Sequence, residues 1–99
     1  MDINKRQFKN WLMSKYREYA PITIDSIISE AWLIERENLG ITPEDILTGK
    51  KTINDYTIIV RDFLINKGKN PKYRPNQYAS SLNKLILFLR DDEFLKIES

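Results

Sequence analysis

The sequence predicts an all-α domain: a compact bundle of four main helices plus a short connecting helix. Three observations carry this. Apolar residues recur at three- and four-residue steps along nearly the whole chain. Two threonine-led cap patterns and three isolated glycines sit where such helices would start and stop. The single stretch rich in β-branched residues stands alone, so a strand there would have no partner.

Phe8, Trp11, Leu12, Tyr16 and Tyr19 share one face and predict a first helix over about residues 3–19. Ile24, Ile27, Ile28, Ala31 and Ile34 predict a second over about 22–38, closed by Gly40. Thr42-Pro43-Glu44-Asp45 opens a short helix that stops at Gly49. The threonine can cap, proline suits the first helical position, and the acids face the positive end of the dipole. Thr52-Ile53-Asn54-Asp55 resembles a capping box with aspartate in place of glutamate. The third main helix follows it, carrying Ile53, Tyr56, Val60, Phe63 and Leu64, and ends before Gly68. Tyr56-Thr57-Ile58-Ile59-Val60 within it has strand-like composition, but the cap and the continuing 3.6-residue spacing keep it helical. The fourth main helix starts at Pro75 and buries Tyr78, Leu82, Leu85, Ile86 and Leu89. Phe94, Leu95 and Ile97 then close over the core.

Ninety-nine residues make one domain, residues 1–99, with a single modest core. Cysteine and histidine are both absent. Their absence removes disulfides, thiolate metal sites, nearly every zinc site, and serine–histidine or cysteine–histidine catalysis. The expectation is a non-enzymatic chain without metal, cofactor or small-molecule substrate. No apolar run approaches the ~18–20 residues that cross a bilayer. With no cysteine and a charged N-terminal stretch, the chain reads as a soluble cytoplasmic protein. The paired acids Glu44/Asp45 and Asp91/Asp92/Glu93 read as dipole compensation and as solvated surface respectively.

The net charge of +2 conceals alternating bands. Residues 1–20 carry +3, residues 21–48 carry −5, residues 49–74 carry +5 and residues 75–99 carry −1. Two basic bands folded onto one face would attract phosphate. The most basic segment is Lys67-Gly68-Lys69-Asn70-Pro71-Lys72-Tyr73-Arg74, with four cations in eight residues. It leads into a helix start, where free N–H groups add to the positive field. Asn76, Gln77, Ser80 and Lys84 follow on the first turns, where polar side chains can meet base edges. Trp11 and Trp32 read as core rather than as stacking platforms.

The order of these pieces resembles the N-terminal core-binding domain of tyrosine recombinases and phage integrases, a SAM-like helical fold also appended to some restriction-type endonucleases. Phe8-Lys9-Asn10-Trp11-Leu12 matches its first-helix element, and Ala20-Pro21-Ile22-Thr23 its lead into the second helix. Thr42–Leu47 matches its connecting turn, and Asp55-Tyr56 through Phe63-Leu64 its third helix. Asn76-Gln77-Tyr78-Ala79-Ser80-Ser81-Leu82-Asn83-Lys84-Leu85 matches its last helix. Ala20 replaces the family's usual serine, Ile27 stands where tyrosine is frequent, and Gln77 and Asn83 stand where arginines are common. Arg74 and Lys84 can compensate for those arginines.

The resemblance implies half of a clamp around double-stranded DNA, whose companion would be a catalytic domain outside this chain. Its expected DNA contacts are Lys67, Lys69, Lys72, Arg74, Asn76, Gln77, Ser80 and Lys84, with Thr23 and Ser26 at the start of the second helix. The alternative is a small phage or bacterial protein-interaction module, such as an inhibitor of a partner protein. In that case the acids of residues 21–48, among them Glu30, Glu35 and Glu37, form the partner surface.

Overall fold

The computed structural model describes residues 4–72 and 74–91. Six helices and no strand occur among the described residues: α1 (Lys5–Lys15), α2 (Pro21–Ala31), α3 (Leu33–Arg36), α4 (Pro43–Leu47), α5 (Ile53–Asn66) and α6 (Arg74–Leu89). Four are long and two are single turns, so the expected all-α bundle is present. None is long and apolar enough to cross a membrane.

Local sequence explains most boundaries. Asn4 caps α1 by accepting the Gln7 N–H at 3.1 Å. The helix stops at Lys15, four residues earlier than its apolar spacing predicts. Pro21 holds Ala20 in an extended conformation, and the intervening turn stacks the Tyr16 and Tyr19 rings at 5.0 Å. Both threonine caps are complete capping boxes. Thr42 and Asp45 exchange bonds of 3.2 and 3.0 Å, and Thr52 and Asp55 exchange bonds of 3.1 and 2.9 Å. The β-branched stretch from Tyr56 to Val60 is helical, as the cap and spacing predict.

The second predicted helix, expected to run unbroken to about residue 38, divides at Trp32. Ala31, Trp32, Leu33 and Ile34 are all buried. Four successive residues sweep about 300° around a straight α-helix, so one helix face cannot bury them all. The break sends the Trp32 ring to Phe8, 6.0 Å away, while Leu33 and Ile34 stay in the core. Arg36 donates to the Ser29 carbonyl at 2.7 Å, satisfying a backbone oxygen near the end of α2.

α6 is the central element. It packs against α5 and α2 most extensively, and also against α1 and α4. Its buried set, including Ala79, Leu82, Leu85, Ile86 and Phe88, meets Phe8, Trp11 and Leu12 from α1, Ile24 and Ile27 from α2, and Tyr56, Val60 and Leu64 from α5 in one core. Phe63, expected on the buried face of α5, is only half-buried. Asp91, expected to be solvated, instead accepts the Trp11 indole N–H at 2.7 Å and faces the Lys15 ammonium at 3.8 Å. The expected closure by Phe94, Leu95 and Ile97 lies outside the described residues.

Leu82 is fully buried, so Leu82→Ala should cost about 2–5 kcal/mol, whereas Phe63→Ala should cost less. Urea midpoints of the two variants check this order. The Thr52 backbone N–H, then its hydroxyl, then the Lys51 charge hold the Asp55 carboxyl below the usual carboxylate range. A depressed folded-state pKa contributes stability above the unfolded value of about 4 and loses it as pH falls through the folded value. Asp55→Asn should therefore be less stable than wild type near neutral pH. The gap should narrow as pH drops below about 4, as a series of urea titrations across that range would show.

Candidate functional site

The described residues of the basic segment between α5 and α6 are shaped by local backbone hydrogen bonds. α5 ends in a Schellman motif: the Lys69 N–H donates to the Leu64 carbonyl at 2.9 Å, and the Gly68 N–H to that of Ile65 at 3.0 Å. Gly68 supplies the required left-handed residue at φ 71°. Two residues on, Asn70 Oδ1 accepts the Lys72 N–H at 3.0 Å, an Asx turn around Pro71. The chain then enters α6 at Arg74-Pro75, and proline loses no hydrogen bond in that first turn. Lys67, Lys69, Lys72 and Arg74 are thus exposed on a short, internally bonded connection. Among the described residues, no carboxylate lies within ion-pair distance of Lys67, Lys69 or Arg74. The Lys67 ammonium lies 5.6 Å from the centre of the Phe63 ring, one turn back.

The remaining predicted residues fall into three groups. Ser26, Arg74 and Gln77 come together in a cleft between α2 and α6 of about 270 Å³. Ser80 and Lys84 pair with each other, the ammonium donating to the hydroxyl at 3.1 Å while lying 5.6 Å from the Tyr16 ring centre. Asn76 and Thr23 are exposed without side-chain bonds among the described residues, and Thr23 is not part of the cleft lining.

Sequence reasoning missed the rest of the cleft: Ser29, Glu30 and Tyr78. Ser26, Ser29 and Glu30 stand three and four residues apart on α2, a polar stripe visible in the sequence. What it faces was not visible. Glu30, read as part of an acidic partner surface, is half-buried, and its Oε1 accepts the Ser81 hydroxyl from α6 at 2.9 Å. Glu35 is exposed and Glu37 half-buried, so the acidic band is not one uniform face.

On α5, Tyr56 is fully buried and its hydroxyl has no hydrogen-bond partner among the described residues. Burial pushes the phenol well above the usual tyrosine range. Tyr78 and Glu30 push it the same way and Arg36 opposes them. A second concavity, of about 260 Å³, lies between α1 and α2. Met13, Tyr16, Tyr19, Pro21 and Ile24 line it with Lys9 and Arg17.

No family model matches the chain, and no curated protein and no solved structure matches it either. What the surface can do chemically follows from its own residues. A run of exposed cations at the start of a long helix can neutralise phosphates. The unengaged amides of Asn76 and Gln77 just beyond them can exchange hydrogen bonds with a polar edge.

An unpaired buried hydroxyl costs about 1–3 kcal/mol relative to an apolar group of the same shape. Tyr56→Phe should therefore leave the urea midpoint unchanged or raise it, and a clear fall would show that the hydroxyl has a partner in solution.

Proposed function

We propose that this chain is a non-catalytic, duplex-DNA-binding domain of the SAM-like core-binding type. Such a domain belongs to a tyrosine recombinase, a phage integrase or a related mobile-element protein, with catalysis on a separate domain. The observation that carries this reading is the exposed basic connection into α6, whose Lys67, Lys69 and Arg74 have no carboxylate partner among the described residues. The same cations on an unconstrained backbone would lose more conformational freedom on meeting a phosphate backbone. The Schellman motif and the Asx turn have already paid part of that cost here.

The spacing along α6 supports the same reading. Arg74 and Lys84 are ten residues apart on one helix, about 15 Å at 1.5 Å per residue. That is comparable with a major groove about 12 Å wide. Cations at both ends can reach phosphates on either side while Asn76, Gln77 and Ser80 face the groove between them. Gln77 and Asn83 in place of arginines shift the balance from phosphate attraction toward amide contacts.

One observation favours a second reading, a protein-interaction module. The groove between α1 and α2 has mainly apolar and aromatic walls, and Met13 within it is 53% exposed.

Salt dependence separates the two readings. Each phosphate contact contributes about −0.9 to the slope of log affinity against log salt. Neutralising Lys69 and Lys72 together as glutamines should make that slope shallower by up to about two units and weaken all duplexes alike. The double change Gln77→Ala, Ser80→Ala should instead alter preference among sequences. Fluorescence anisotropy on two unrelated duplexes at three salt concentrations reads both effects. Identical weak curves for wild type and both variants would rule out this loop and shift the assignment to the protein-interaction reading.

A further inference from the structure

The cleft between α2 and α6 has a composition that phosphate binding alone does not explain. Arg74 and Gln77 from α6 and Ser26 from α2 face the same space as Glu30. A carboxylate is acceptor-only and repels phosphate, so it opposes an all-phosphate site. Its position is also set: Ser81 donates to Oε1 at 2.9 Å. No other hydrogen bond or ion pair among the described residues engages the Glu30 side chain, which leaves its second oxygen an unused acceptor. The side chains of Arg74, Gln77, Ser26 and Tyr78 likewise make no hydrogen bond among the described residues.

A ligand matching this set brings an anionic oxygen for Arg74 and an N–H donor for Glu30. A DNA strand offers both within one nucleotide step. In the major groove cytosine presents its N4 amino group. Guanine presents only acceptors, and thymine an acceptor and a methyl group. Adenine places its N7 acceptor beside its amino group, which suits an amide better than a carboxylate. Resting on the DNA-binding reading above, we infer that Glu30 reads a base: it accepts from the N4 amino group of a cytosine while Arg74 holds a neighbouring phosphate. The domain therefore prefers a C·G pair at one position of its site. Ser81 is a positioning residue that fixes the carboxylate's orientation.

The test is selection from a pool of randomised duplexes with wild type, Glu30→Gln and Ser81→Ala, followed by anisotropy on the winning duplex and on its single C·G to T·A variant. Glutamine keeps the size of the side chain and an acceptor for Ser81, and Ser81→Ala gives a second route should Glu30→Gln fail to fold. Wild type should enrich cytosine at one position and bind the unchanged duplex about fivefold or more tightly than its T·A variant. Glu30→Gln should lose that ratio while binding unselected duplex as well as wild type or better, because a negative charge has gone. Ser81→Ala should reduce the ratio.

Retention of the cytosine preference in Glu30→Gln, or in Ser81→Ala where that is the variant that folds, would overturn the inference. So would a wild type that binds duplex in a salt-dependent way with no base preference, and in that case DNA binding itself would stand. A wild type that binds no duplex would remove the DNA-binding reading, and this inference with it.

Discussion

The fold depends on the burial of Phe8. Its ring lies 6.2 Å from Trp11, 6.0 Å from Trp32 and 5.5 Å from Phe88, centre to centre. Those four aromatics belong to α1, the α2–α3 junction and α6, so one cluster fixes three parts of the chain. Aromatic rings bury large areas with defined geometry, and at these separations they add to simple area burial. The break at Trp32 follows from this cluster, because a straight helix could not deliver both the indole and the Leu33–Ile34 pair to the interior. The end of α6 is held by the same group, since the Trp11 N–H that the cluster would otherwise bury unpaired finds Asp91.

α6 carries a double burden. One side supplies Leu82, Leu85, Ile86 and Phe88 to the core, and the other presents Asn76, Ser80 and Asn83 to solvent at four- and three-residue spacing. A surface helix alone would move as its exposed side chains are pulled. Here Arg74, Gln77 and Lys84 stand on an element packed against both α5 and α2, which suits recognition by a rigid scaffold. The cleft arises at the α2–α6 contact because Ser26, Ser29 and Glu30 leave α2 without large side chains to fill it, apart from Tyr78 across the gap.

Much of this was legible in the sequence because it is local. Both capping boxes, the glycine stops, the proline-led starts and the helical reading of Tyr56–Val60 follow from residues within a few positions of each other. The exposed basic connection was legible for the same reason: four cations with glycine, asparagine and proline between them can hardly be buried. Ser26 and Gln77 stand near separate helix starts in the sequence, and their shared cleft is a consequence of packing.

What the sequence by itself determined is where helices begin, which faces are apolar, and that a cluster of positive charge sits between α5 and α6. Backbone hydrogen bonding and side-chain periodicity act over a few residues and leave their marks in order. The tertiary structure alone decided the rest. It broke the second helix at Trp32, drew Asp91 to Trp11 across eighty residues, and turned Glu30 from a surface acid into the wall of a cleft beside Arg74. Each of these joins residues distant in the chain, and the burial of large rings and the pairing of polar atoms at close range depend on which helices meet. That choice is made by the whole core at once.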